Sequence, residues 1–246
     1  PRSTLFPYTT LFRSDAAKLR TSWTNRDTEF EEAVRDWPAQ VLDDPDLAGE
    51  VEAFVERIRP AGWVNSLGQK LVQLAGPGIP DVYQGTELWD LSLVDPDNRR
   101  PVDFATRSEL LARLESGWLP PVDASGAAKL HLVWTVLRLR LERPELFTGY
   151  RPLHAEGPAA DHALAFARGP EFQLVAVATR LPIGLTTAGS WRDTVLPLPG
   201  SWVDRSPTRP STVDASATSL PPTRSPCCCE KTSEKTTAPT VLRLGA

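Results

Sequence analysis

The strongest constraint on the fold is a helical pattern that stops at a glycine-proline-glycine segment and leads directly into a short apolar run. In "WVNSLGQKLVQLAGPGIPDVYQG" the apolar residues recur on one helical face, at Val64, Leu67, Leu71 and Leu74. Residues 76–78 end the helix, and the apolar run after them predicts a strand. A helix, a stop and a strand in this order are typical of a parallel sheet or a (β/α)8 barrel.

Other segments divide the chain into a helical part and a β part. "EVEAFVERIRPAG" predicts a helix that buries Val51, Phe54, Val55 and Ile58 and ends at Pro60. "RSELLARLES" and "GAAKLHLVWTVLRLRLERPELF" also predict helices, the second apolar over much of its circumference. Beyond Pro144, "HALAFARG", "FQLVAVATRL" and "DTVLPLP" predict short antiparallel strands.

The predicted fold class is therefore an α+β arrangement. Residues 15–144 are predicted to contain helices and one βα unit of a parallel sheet or barrel, and residues 145–205 to form a small antiparallel β domain.

Both ends of the chain depart from this organisation. The stretch "TLFPYTTLFRS" shows no helix or strand period and resembles the translation of a sequencing-library adapter, so residues 1–14 are interpreted as an artefact. Residues 206–246 lose the hydrophobic periodicity and contain three consecutive Cys, which fit neither a disulfide framework nor a zinc site. A frameshifted, disordered tail is predicted there.

Composition excludes several classes of function. A net charge of -4, with acidic and basic residues mixed along the chain, provides no basic stripe for nucleic acid. No apolar run reaches the roughly 20 residues that span a bilayer, and no secretory signal is evident, so a cytoplasmic enzyme without membrane contact is expected. His131, His154 and His162 lack ligand spacing, and no phosphate loop is present, so neither a metal nor a cofactor is predicted.

The segment "GPGIPDVYQGTELWDLSLVDPDNRRPVDF" resembles the maltooligosyltrehalose synthase family of the α-amylase superfamily. The resemblance extends through "TSWTNRD", "PAGWVNSLGQ", "ELFTGYRPL", "ALAFARG" and "VATRLP", and so covers about residues 15–205 as a C-terminal portion. The superfamily pattern of the eighth barrel strand is matched by Gly78, Pro80, Tyr83, Gly85 and Glu87. The resemblance therefore implies that residues 15–144 form the end of a (β/α)8 barrel, meaning its last strand and associated helices.

The resemblance implies an isomerase of trehalose biosynthesis. In this family the reducing-end α-1,4 bond of a maltooligosaccharide, an α-glucan, is rearranged to an α,α-1,1 linkage by a retaining mechanism with two carboxyl groups. The Asp nucleophile, the Glu acid and a stabilising Asp lie upstream of the matched region in the family. No catalytic residue is therefore assigned, and the chain alone is predicted to be inactive.

Substrate contacts are predicted in the polar loop after the strand, because loops at that end of barrel strands build active sites. The candidates are Tyr83, Gln84, Glu87, Trp89, Asp95, Asn98, Arg99 and Arg100. Gln and Glu can hydrogen-bond sugar hydroxyls, and Trp can stack on a pyranose ring. Structural roles are the alternative: Arg100 would pair with Asp90, Asp95 or Asp103, Trp89 would be core, and Tyr83 would face the barrel interior.

Two other functions stay open at this point. The β domain would be a non-catalytic glucan-binding module if several aromatic residues were exposed on one face. The chain would alternatively come from another α-amylase-superfamily hydrolase or transferase, because the strand pattern is widely shared. "ELWDLSLVDPDNRRPVDF" favours the synthase, since it extends the match beyond that pattern.

Overall fold

The computed structural model describes residues 14–198, 203–204 and 240–243. The chain forms two compact units. The first contains Pro1–Pro60 and Leu91–Pro101, and the second contains Ala61–Asp90 and Val102–Ala246. Of the predicted terminal segments, residues 1–13 and most of 206–246 lie outside the described residues.

The first unit contains helix α1 (Thr28–Asp43), whose N-cap Asp27 accepts a hydrogen bond from the backbone N–H of Phe30 at 3.0 Å. Glu31 in the first turn is buried. Its carboxylate accepts hydrogen bonds from Thr21 Oγ1, at 2.6 Å, and from the Arg26 guanidinium. The Arg26 bond above all, and then the Thr21 bond, lower the pKa of Glu31 to about 2.

Helix α2 (Pro45–Ala75) is longer than its sequence predicts. The expected end at Pro60 is wrong, because the helix continues through that residue. A proline removes one bond from the helical ladder, but the remaining bonds of a 31-residue helix hold both flanks. The predicted burial of the Val51, Phe54, Val55 and Ile58 stripe is also wrong, since these side chains are 37–52% exposed.

The core of the second unit is formed by the last part of α2, by helix α4 (Ala127–Glu142) and by one face of a sheet. Helix α3 (Phe104–Glu115) precedes α4 and is capped by Asp103, which accepts from Thr106 N at 3.0 Å. The prediction for α4 is confirmed, because its side chains are buried around much of its circumference. Members of the core from all three parts include Leu67, Leu71, Leu74, Leu132, Val136, Phe166, Leu174 and Leu242.

The sheet has five strands: β1 (Arg151–Leu153), β2 (Ala163–Arg168), β3 (Leu174–Thr179), β4 (Val203–Asp204) and β5 (Thr240–Arg243). Their order is β1-β2-β3-β5-β4. β2 and β3 pair antiparallel as predicted, and β1, which was not predicted, pairs antiparallel with β2. β5 is parallel to both β3 and β4, so the sheet is mixed. The short helix α5 (Pro182–Thr187) follows β3.

Strand β5 lies inside the segment predicted to be a disordered tail. Val241 and Leu242 are both buried, on opposite faces of the sheet, with Leu242 in the main core cluster and Val241 in the second cluster. For residues 240–243 the disordered-tail prediction therefore does not hold, because apolar side chains on both faces give this short run a place in the core.

Two predicted strands are not formed. Residues 79–83 have no strand pairing, and residues 194–198 contribute only an isolated bridge between Val195 and Glu156. A strand requires neighbours that accept and donate its backbone hydrogen bonds. Among the described residues, none supplies a ladder for Ile79, whose side chain is 97% exposed.

Two arginines cap the C-terminal end of α2. The buried Arg168 donates to the carbonyl oxygen of Ala75 at 2.7 Å, and Arg140 donates to that of Leu74 at 2.7 Å. Arg140 also reaches the carbonyls of Gly76 and Gly78, both at 3.2 Å. These bonds satisfy carbonyls that a helix end leaves unpaired and put positive charge at the negative end of the dipole. They fix the point where the polar loop begins.

Candidate functional site

The eight candidate residues are divided between the two units. Tyr83, Gln84, Glu87 and Trp89 belong to the second unit, and Asp95, Asn98, Arg99 and Arg100 belong to the first. Each set is described by itself.

Tyr83 and Gln84 lie at the exposed start of a tight turn. The carbonyl oxygen of Tyr83 accepts from Thr86 N at 3.2 Å and from Thr86 Oγ1 at 2.7 Å. The Tyr83 side chain is 44% exposed, and Gln84 is exposed as well. The turn therefore presents an aromatic ring and an amide to the outside.

Glu87 is held by an arginine from helix α3. Arg107 Nε lies 3.1 Å from Glu87 Oε2, and Arg107 Nη2 donates to the carbonyl oxygen of Gly85 at 2.7 Å. Both side chains of the pair are largely shielded from solvent. Arg107 thus fixes the backbone and the carboxylate of the loop with one guanidinium fork.

Trp89 combines core packing with an anchored polar edge. Its indole ring stacks on Trp63 with centroids 6.0 Å apart and planes inclined by 7°. Trp89 Nε1 donates to the carbonyl oxygen of Asp123 at 2.7 Å. Gly126, at φ 73°, makes room for it, because a Cβ there would lie 2.7 Å from Trp89 N. The half-buried ring therefore packs against the core, as the structural alternative for Trp89 expected in part.

Beneath the loop, Lys129 donates from Nζ to the carbonyl oxygen of Leu88 at 3.0 Å. Burial above all, and then the positive charge of Lys70, lower the pKa of Lys129 to about 8. Burial also lowers the pKa of Lys70, whose ammonium donates to Gln73 Oε1 at 2.7 Å. Two cations thus lie close together beside the carboxylates of Glu87 and Asp90.

In the first unit, Asp95 and Arg99 form an exposed bidentate pair. Arg99 Nε lies 2.6 Å from Asp95 Oδ1, and Arg99 Nη2 lies 3.1 Å from Oδ2. The two side chains are 67% and 59% exposed, so the pair contributes little to stability and is open to exchange with another ligand.

Arg100 pairs with Asp97, not with Asp90, Asp95 or Asp103 as the structural alternative expected. Asp97 is buried and also accepts from Leu93 N at 2.7 Å. It therefore organises the short 3-10 helix Asp97–Arg99 from inside. Asn98 Oδ1 is buried and has no hydrogen-bond partner among the described residues.

The described residues contain neither a metal-ligand cluster nor a membrane-spanning helix. No group of three or more His, Cys, Asp and Glu side chains that could hold a metal ion occurs there. None of the helices in this part of the chain combines the length and apolar character that a membrane crossing requires. His131 is buried in α4 with its ring centroid 5.9 Å from that of Trp134, in agreement with its predicted apolar surroundings.

Sequence reasoning missed the side chains that hold the loop, Arg107, Asp123 and Lys129. Arg107 lies in a helix with a mixed polar face, where a charged residue indicates nothing more than a solvated surface. Lys129 did leave a signal, because it interrupts the apolar start of "AAKLHLVW". A cation at that place is unusual for a packed helix.

Comparison with known proteins identifies relatives over most of the chain. A curated Mycobacterium tuberculosis protein named as a maltooligosyl trehalose synthase is 47% identical over 191 residues, which is 76% of this chain and 23% of the relative. The structure of maltooligosyltrehalose synthase from Arthrobacter ramosus is 48% identical with a TM-score of 0.72, covering 78% of this chain and 25% of that one.

A structure named DSM5389 glycosyltrehalose synthase is 30% identical with a TM-score of 0.57, over 68% of this chain and 21% of that one. No protein-family model matches the chain. The chain spans about a quarter of the length of the relatives it matches.

The structural neighbours are trehalose-forming synthases, which form an α-amylase-like class. Within that class its relatives are the maltooligosyltrehalose synthases, and the resemblance seen in the sequence is confirmed.

Proposed function

We propose that the chain supplies a substrate-contacting loop to an isomerase that converts the reducing-end α-1,4 bond of a maltooligosaccharide to an α,α-1,1 trehalose linkage. Kinship with the synthases supports the reaction. The observation that carries the assignment to this loop is that two of its candidate side chains are exposed while two others are anchored. Tyr83 and Gln84 are exposed at the turn, while Glu87 and Trp89 are fixed beneath them by side chains from α3 and α4 and by the Asp123 carbonyl.

Each candidate side chain offers chemistry that suits a glucan. The Tyr83 ring provides a flat apolar face for a pyranose, and Gln84 provides both a donor and an acceptor for hydroxyls. Glu87 keeps Oε1 for a substrate while Oε2 faces Arg107. The Trp89 ring is only partly buried, so it can add apolar surface beside them.

In the first unit, Asp95, Asn98, Arg99 and Arg100 are proposed as further hydroxyl contacts. The exposed Arg99–Asp95 pair can open at small cost, which would release donors and acceptors for a sugar. Arg100 is the more constrained of the two arginines because Asp97 holds it.

The chemical step itself requires groups that are not assigned to this chain. The family plan uses a carboxylate nucleophile that forms a glycosyl-enzyme and a second carboxylic acid that protonates the leaving oxygen. The released glucose then attacks through its anomeric hydroxyl while water is excluded. Because none of these carboxylates is matched here, the chain alone is expected to bind glucan without converting it. A cytoplasmic location also stays a prediction.

The test is a calorimetric titration of the chain with maltopentaose, comparing Y83A with Y150A. Tyr150 is exposed to a similar extent, 53% against 44%, and lies outside the loop. Loss of the Tyr83 ring should weaken binding by about 5–10-fold, equivalent to roughly 1 kcal/mol, and Y150A should bind normally. Equal effects of the two changes, or no binding by any variant, would contradict the proposal.

The same samples distinguish the alternative functions. A trehalosyl product from the chain alone would contradict its predicted inactivity, and released glucose or transferred glucans would favour another member of the α-amylase class. A binding platform on the β domain is less well supported. Among described residues 145–198, Tyr150 is the one largely exposed aromatic side chain.

A further inference from the structure

Lys129 occupies a place where a positive charge is disfavoured for three separate reasons. It lies in the first turn of α4, at the positive end of the helix dipole, where its backbone N–H bonds to the carbonyl oxygen of Gly126 at 2.9 Å. Its side chain is 7% exposed, and the ammonium of Lys70 repels it. An apolar side chain of the same length would avoid all three costs.

The ammonium group of Lys129 makes a hydrogen bond to the candidate loop. Its 3.0 Å bond to the Leu88 carbonyl joins residues 41 positions apart in the sequence. Leu88 stands between Glu87 and Trp89, so the bond fixes the backbone from which both candidate site residues project. The ammonium also lies 5.8 Å from the centroid of the Trp89 ring, within the range of a cation–π contact.

The charged groups around Lys129 come from two other elements. Helix α2 contributes Lys70, and the loop contributes Glu87 and Asp90. Glu87 is already paired with Arg107 of α3. The carboxylates therefore offset the burial of Lys129 only in part, which agrees with the direction of its pKa.

We propose that Lys129 is the positioning residue of the loop 85–90, holding the Leu88 carbonyl so that Glu87 and Trp89 keep the orientation in which the loop meets a glucan. The inference rests on the proposed function for its biological meaning, but the positioning itself is a property of this chain. A locally unfavourable charge that is directed at a candidate site is the pattern expected of a functional constraint.

The test is 19F NMR of the chain labelled with 5-fluorotryptophan, recorded from pH 6 to 10.5. The Trp89 resonance is assigned by its loss in W89F. We expect this resonance to shift with a midpoint near pH 8, where Lys129 releases its proton. In K129M the shift should be absent, and in K129R the resonance should keep its low-pH position throughout, because arginine stays protonated.

The matched control is K70M, which removes the neighbouring cation while leaving the Leu88 bond in place. Because Lys70 lowers the pKa of Lys129, the K70M midpoint should move to higher pH. A Trp89 resonance that does not change with pH, or that titrates equally in K129M, would overturn the inference. If K129M does not fold, the wild-type and K70M midpoints still decide the question.

Addition of maltopentaose at pH 7 separates this inference from the proposed function. A pH-dependent Trp89 signal without any response to maltopentaose would support the positioning role and count against glucan binding. A response to maltopentaose without the pH-dependent signal would retain glucan binding and overturn the role of Lys129.

Discussion

Arg107 and Glu87 form a shielded ion pair, with Arg107 Nε 3.1 Å from Glu87 Oε2, that links helix α3 to the candidate substrate loop. The same guanidinium bonds to the Gly85 carbonyl at 2.7 Å, so one side chain fixes two points of the loop. The bonds made by Arg107 within the second unit therefore set the loop geometry before any ligand is present.

Replacement of Arg107 by Met is expected to destabilise the second unit. The change leaves a shielded carboxylate and a carbonyl without their donor, which should lower the free energy of unfolding by about 1–3 kcal/mol. Urea unfolding measures this loss. The double variant R107M/E87M should recover part of it, because no unpaired charge remains; full additivity of the two changes would show that the pair is not coupled.

Substitution of Gly126 by Ala should be costly, and the matched substitution of Gly62 should be favourable. Gly126 has φ 73°, and a Cβ there would lie 2.7 Å from Trp89 N, so a loss of about 1–3 kcal/mol is expected. Gly62 lies inside α2 with nothing within 4 Å of an added Cβ, and Ala should stabilise the helix by roughly 0.5–1 kcal/mol. Thermal unfolding of both variants tests the contrast, which similar shifts in Tm would contradict.

Lys129 should make stability rise with pH in the alkaline range. Its pKa is about 8 in the folded chain and close to the usual 10.5 in the unfolded chain, so between these values the unfolded state binds the extra proton. The free energy of unfolding therefore increases from pH 8 to 10.5, on the order of 1–2 kcal/mol after allowance for solvent screening. The difference between wild type and K129M in urea isolates this increment, and parallel pH profiles would exclude it.

Glu31 should make the first unit sensitive to acid. Its pKa is lowered from the usual 4.5 to about 2, so its contribution to stability is complete above pH 4.5 and is lost as the pH falls towards 2. Acid unfolding followed by circular dichroism should show this window in wild type and in E29Q, whose parent side chain is exposed. E31Q should lack it, and a wild-type profile in E31Q would refute the assignment.

The parts of the fold that follow local periodicity were predictable. Leu67, Leu71 and Leu74 repeat at helical spacing and form the buried face of α2, and the hairpin of β2 and β3 follows from its apolar runs. Pro60 misled the prediction because the rule that proline ends a helix is local, whereas the length of α2 holds the helix together on both sides. The apolar run at Ile79 predicted a strand wrongly, because a strand forms only where a neighbouring strand pairs with it, and the local sequence does not show whether such a neighbour exists.

The sequence suggested which loop to consider as a candidate site, but it did not indicate which side chains hold that loop. The loop was singled out by its polar and aromatic content, but the side chains that hold it come from other elements. Lys129 lies 41 residues after its partner Leu88, and Arg107 lies 20 residues after Glu87. Pairings at such separations are set by the packing of α3 and α4, so the sequence can mark Lys129 as an unusual cation but cannot indicate its partner.

The position of β5 in the sheet has a consequence for how the chain is made. β5 lies between β3 and β4 in space but is the last of the three in sequence. On a ribosome, β3 emerges well before the strand that covers its edge, and until then its unpaired backbone is open to the wrong partner. The sheet can be completed only after residues 240–243 have been synthesised. A nascent chain that stops before them would expose unpaired backbone groups along the edge of β3, where another chain could pair.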